Sequence, residues 1–202
     1  MNTEQIILEA AEKLFIEKGF NGARTTEIAK LAGVNHALLH YYYQTKENLF
    51  NCVFERISGR LVALFDFAFE GNAPFFAKLK KGIELHFDCL SKQIDLPVFI
   101  LREIMQNKAQ KEYLMTQIAP SAKRMLAKMQ SALKKEARTG KIRPVKATNL
   151  LINIASLNVF SVVVAKAFFD TNDTRGAKAL KRMLEERKKN NVETIINSLK
   201  CR

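Results

Sequence analysis

Apolar residues recur along this 202-residue chain at spacings of three and four, the pattern of helices that each bury one stripe. The first run opens at Thr3, a residue type that caps helices, and sets Ile7, Ala10, Ala11, Leu14 and Phe15 on one face. Gly19 followed by apolar Phe20 reads as its stop. After the loop "NGART", Thr25 or Thr26 can cap a short second helix to about Ala32, with Ile28, Ala29 and Ala32 inward. Gly33 breaks that helix, Asn35 can cap a third over about 36–42, and Thr45 a long fourth. Glu47 in its first turn suits the helix dipole. Beyond residue 70 the same period predicts helices near 74–93, 97–108, 110–118, 120–138, 146–169 and 175–199. Pro74, Pro97, Pro120 and Pro144 fall at starts or gaps, where a missing amide donor does least harm.

The expected fold is all-α: an N-terminal three-helix helix-turn-helix domain followed by a larger helical body. Residues 1–50 form the first domain, a connecting helix spans about 45–70, and residues 71–202 form the second. Eight glycines and four prolines agree with a helical chain. The start "MNTEQIILEAAEKLF" has no basic leader before an apolar stretch, so no signal peptide is expected. The most apolar run, "LLINIASLNVFSVVVAKAFF", is broken by Asn153, Ser156, Asn158 and Ser161; it reads as a buried helix and no membrane is expected. Cys52, Cys89 and Cys201 are odd in number and widely spaced, which fits neither a disulfide framework nor a zinc knuckle. A reduced, cytoplasmic protein is the reading.

Net charge is +13, but its distribution restrains the inference that nucleic acid follows. Residues 1–50 carry −1 and 51–100 carry 0, whereas 101–150 carry +9 and 151–202 carry +5. A DNA argument must therefore rest on local geometry.

That geometry is offered by "TTEIAKLAGVNHALLHYYYQTKENLF", residues 25–50. Two short helices meet at Gly33, with small Ala29 at the crossing and Val34 and Leu39 to fill the corner. The third helix is about 10 Å long and fits a major groove. Leu39 and Tyr43 share its inner side, while His36, Ala37 and His40 share an outer one. Tyr41 and Tyr42 fall to the flanks, within reach of phosphates, and Lys46 starts the next helix. The histidine pair also has an i, i+4 metal-ligand spacing, but no acidic or cysteine ligand lies near in sequence; no metal or cofactor is expected.

Residues 3–50 resemble the N-terminal domain of TetR-family bacterial transcriptional regulators. The resemblance is carried by Gly19-Phe20, Thr25-Thr26, Ile28-Ala29, Ala32-Gly33-Val34, Leu39, Tyr42-Tyr43 and Lys46-Glu47-x-Leu49. It implies phosphate contacts for Thr25, Tyr41, Tyr42 and Lys46, and a base or backbone contact for Thr26. It makes Asn35 a cap that also reaches phosphate, and His36 and Ala37 readers of bases. His40 stands where the family usually has tyrosine, and Leu38 where it often has a small or hydroxylated residue.

The resemblance further implies a homodimer paired through the last two long helices, with Leu157, Phe160 and Val164 from one and Met183, Leu184, Ile195, Ile196 and Leu199 from the other. It implies a small-molecule effector in the C-terminal body; His86, Cys89, Phe99, Asn107 and Asn153 are candidates for the pocket. The expected function is a ligand-responsive regulator, a repressor before an activator, that binds a pseudo-palindromic double-stranded operator and is released by its effector. The alternatives are a sequence-indifferent basic DNA binder and, behind it, an all-helical enzyme. Against the enzyme, no glycine-rich phosphate loop, nucleophile triad or carboxylate metal cluster is evident.

Overall fold

The computed structural model describes residues 2–106, 108–117, 119–169 and 173–201; of 109, 110, 114 and 115 it describes the backbone alone. Asn107, offered above as a pocket residue, lies outside the described residues. Among those described there is no strand. The helices are α1 (Thr3–Gly22), α2 (Thr25–Ala32), α3 (His36–Tyr43), α4 (Lys46–Ala68), α5 (Phe75–Lys92), α6 (Leu96–Gln106), α7 (Lys108–Gln117), α8 (Ala119–Arg138), α9 (Ala147–Phe168) and α10 (Thr174–Leu199).

Contacts divide the chain into two compact units. The first comprises residues 1–59 and 98–119. Its core is Ile7, Ala11, Phe15, Ile28, Leu49, Phe50, Val53 and Phe54, closed by Phe99, whose ring lies 5.9 Å from those of Phe50 and Phe54. A single cut near residue 70 therefore does not describe the division: Phe99 makes most of α6 part of the N-terminal unit. The Glu103 carboxylate also accepts from the Phe20 amide at 3.4 Å. Gly19, at φ 72°, bends α1 there, and a Cβ on it would collide with the Arg102 guanidinium.

Three of the first four helices start on a side-chain cap. Asn2 Oδ1 accepts from the Gln5 amide at 2.9 Å, so α1 is capped one residue before Thr3. Asn35 Oδ1 accepts from the Leu38 amide at 2.7 Å, and Thr45 Oγ1 from the Asn48 amide at 3.1 Å, both as expected. On α2 the expectation fails: Arg24 is the cap residue, no side-chain hydrogen bond caps the helix, and Thr25 is its first helical residue. Gly33, at φ 68°, closes α2 with the Val34 amide on the Ala29 carbonyl at 3.0 Å and its own amide on the Lys30 carbonyl at 3.2 Å. That double closure turns the chain into α3.

The second unit comprises residues 60–97 and 120–202. α5, α8, α9 and α10 enclose Leu79, Ile83, Met125, Met129, Leu133, Leu150, Ile154, Val192, Ile195 and Leu199. Met125, Met129 and Leu133 form the inner stripe of α8, which leaves Lys123, Arg124, Lys134, Lys135 and Arg138 on its wet face. α9, read from the sequence as a buried helix, is buried within this chain on one face only. Its composition and length would suit a membrane span, yet one face is in the core and the other exposes Ile152 and Phe160.

Candidate nucleic-acid interface

α3 is held by its inner side and open on its outer one. Leu39 and Tyr43, four residues apart, are buried. The Tyr43 hydroxyl donates to the Glu4 carbonyl at 3.0 Å, which ties α3 to the start of α1. Burial, aided by the Glu4 carboxylate, pushes this phenol up to about 12 and keeps it a neutral donor. The outer face presents His36, Ala37 and His40 to solvent, as the helical spacing predicts. Tyr41 is 76% exposed and Tyr42 40%, their rings edge-to-face at 5.4 Å, so the two phenols brace each other at the flank.

Around that face stand the supporting polar groups. Thr26 is exposed and Thr25 half-buried, with its Oγ1 2.9 Å from His36 Nε2. The Asn35 oxygen is committed to its cap, which leaves the side-chain amide free to donate outward. Lys46 lies half-buried with Nζ 4.7 Å from the Phe20 ring centroid. The ring bears on the stem and charge while the ammonium keeps its donors. Arg24, which the sequence reading did not single out, is exposed beside Thr25 at the start of α2. Its signal was present in the sequence as a cation directly before a helix start.

The C-terminal candidates do not gather into one site. Phe99 is in the core of the first unit and Asn153 is exposed on α9. Cys89 is half-buried on α5, and His86 is buried on the same helix. What surrounds His86 is a polar network. Its Nδ1 lies 3.1 Å from Asn158 Nδ2, which also donates to the Ile83 carbonyl at 3.1 Å. Asn191 donates to Asn158 Oδ1 at 3.0 Å and to Ser161 at 3.3 Å, and Arg187 donates to Asn191 at 2.9 Å. Burial lowers the His86 imidazole to about 4, so it is neutral at physiological pH. A separate cleft of about 350 Å³ lies between α5 and α10 of this unit, with Phe87, Ser91, Leu180 and Leu184 on its walls.

Of the pairing residues, Ile195 and Leu199 are buried in the chain's own core. Phe160 is 69% exposed, and Leu157, Val164, Met183, Leu184 and Ile196 are half-buried.

The sequence model of bacterial regulatory proteins of the tetR family matches residues 7–53, the span that holds every proposed DNA-facing side chain. The HTH-type transcriptional regulator RutR of Escherichia coli K12 is 29% identical over 151 residues, 75% of this chain and 69% of RutR. Residues 7–53 are a DNA-binding module of the TetR family of transcriptional regulators. Over the DNA-binding module the likeness to TetR-family sequences rises: the HTH-type transcriptional repressor NicS of Pseudomonas putida is 44% identical over 55 residues, 27% of this chain and 26% of NicS. The TetR fold extends through the whole chain. The crystal structure of FadR from Bacillus subtilis, in complex with stearoyl-CoA, superposes with a TM-score of 0.71 at 18% identity, covering 96% of this chain and 98% of FadR. The family model and the likeness to RutR place the protein among regulators of transcription and not among enzymes.

Proposed function

We propose that this chain is a homodimeric, effector-responsive repressor that binds a pseudo-palindromic operator. The observation that carries the reading is the two-sided character of α3: Leu39 and Tyr43 anchor it, and His36, Ala37, His40, Tyr41 and Tyr42 stand together in solvent. Histidines on the outer face reach base edges, while Tyr41, Tyr42, Lys46, Thr25, Thr26 and the Asn35 amide hold backbone phosphates. Arg24 adds a phosphate contact at the start of α2.

A helix of two turns reads few base pairs, so usable specificity needs two copies on successive major-groove faces. The exposed apolar side of α9, led by Ile152 and Phe160, is the surface to cover with a second chain. This covering, and the family's place in transcription, support a cytoplasmic protein. The effector would bind in the second unit, where the cleft between α5 and α10 offers volume for a small molecule. The stearoyl-CoA held by FadR and the name of NicS support the effector and the repressor halves of the reading. Release follows if the effector favours a dimer geometry whose recognition helices no longer match the groove spacing.

The test is stoichiometry and sequence preference together. Titrating a labelled operator duplex should saturate at two chains per site, with a scrambled duplex bound far more weakly. One chain per site, or equal affinity for both duplexes, contradicts the reading.

A further inference from the structure

The geometry points to Thr25 as a positioning residue that fixes which way the His36 imidazole is polarised toward DNA, by linking a backbone phosphate to the ring through its hydroxyl. The inference rests on the base-reading role of His36 proposed above.

The first observation is the 2.9 Å contact between Thr25 Oγ1 and His36 Nε2. These are the first residues of α2 and α3, eleven positions apart, and the Gly33 closure brings the two helix starts side by side. The second is the missing cap. α1, α3 and α4 each spend a side-chain oxygen on their first free amides, while α2 does not. Arg24 holds the cap position and offers no capping oxygen, and Thr25, one residue inside the helix, has its hydroxyl at the histidine. An uncapped helix start of this kind takes an anion, and on DNA the anion is a phosphate.

The polarity then follows from counting protons. A threonine hydroxyl has one proton to give and lone pairs to receive with; a phosphate oxygen can only accept. A Thr25 hydroxyl that donates to phosphate can meet Nε2 only by accepting from Nε2–H. The neutral ring therefore carries its proton on Nε2, and Nδ1 becomes the acceptor presented to the groove. An acceptor pairs with the exocyclic amino group of adenine or cytosine, not with N7 or O6 of a purine. With the opposite polarity, Thr25 would donate to Nε2 and Nδ1–H would seek N7, O6 or O4.

The experiment uses the full chain in mildly alkaline buffer and duplexes selected by it from random sequence. His36→Ala identifies the position in each half-site that His36 reads. Thr25→Val, which keeps the shape and deletes the hydroxyl, should relax the preference at that same position by roughly fivefold to tenfold. It should leave other positions unchanged, and Thr25→Ser should restore the preference. Combined with His36→Ala, Thr25→Val should cost no further discrimination. At that position, an analogue lacking the exocyclic amino group should weaken wild-type binding but not His36→Ala binding, and a 7-deaza purine should weaken neither. Sensitivity to 7-deaza substitution, with none to loss of the amino group, overturns the polarity. A uniform affinity loss in Thr25→Val, with the preference intact, overturns the link and leaves His36 a reader. No positional change in His36→Ala overturns the base-reading role itself, and the link with it.

Discussion

His40 and Tyr42 sit two residues apart on α3 and are expected to fail differently when cut back. His40 is exposed on the outer face, so His40→Ala should erase a preference at one position per half-site while sparing affinity for random duplex. Tyr42→Phe and Lys46→Ala remove groups assigned to phosphates. Each should weaken operator and random duplex about equally, and Lys46→Ala should lower the slope of log affinity against log salt by about 1. Binding isotherms on both duplexes at several salt concentrations separate the classes; a loss confined to the operator would contradict the phosphate assignments. At this scale exposure was legible, because four-residue spacing sorts Leu39 and Tyr43 from His36 and His40 without any tertiary knowledge. The cap of α2 was not legible. A threonine at a helix start offers its hydroxyl to whatever lies nearest, and the chain does not announce that His36 will be 2.9 Å away.

Elements are where sequence periodicity does best. The predicted helices beyond residue 70 end within about two residues of those observed, since a sustained apolar stripe leaves little freedom. Pairings between elements are another matter. His86, Asn158 and Asn191 satisfy one another from α5, α9 and α10, at separations of 72 and 33 residues. Read singly, His86 looked like a pocket group; a buried polar residue finds partners from elsewhere in the fold, and only the fold names them. Asn158→Ala strands both neighbours and should destabilise the protein by about 3 kcal/mol in denaturant titration. His86 adds a pH dependence. Its pKa falls from 6.5 to about 4 on folding, so below about pH 6.5 the unfolded chain binds a proton that the folded chain refuses. Stability is complete above that value and is lost as pH falls toward 4, by up to about 3 kcal/mol. The difference in stability between wild type and His86→Gln, followed by calorimetry from neutral to acidic pH, should shift against the wild type by that order; a constant difference would mean His86 protonates freely in the folded state.

For the whole molecule the open question is what covers α9. The resemblance offered that helix and α10 as the pairing surface, but the sequence could not tell that Ile195 and Leu199 are spent on the chain's own core while Phe160 stays outside. Phe160→Glu should convert a dimer to a monomer in light scattering with little loss of helix content, and operator affinity should fall by orders of magnitude because two half-sites no longer act together. An unchanged mass would move the pairing surface elsewhere. The charge of residues 101–202 gives the competing view, in which +14 binds any duplex and α3 is incidental. Selection of bound sequences from random duplex DNA, at near-physiological salt with the purified protein, separates the two most directly. Recovery of a two-fold symmetric motif is the result predicted for a dimer that reads DNA with His36 and His40. Recovery of no motif, with binding that fades as salt rises, would mean that the basic second half holds DNA and that α3 reads nothing.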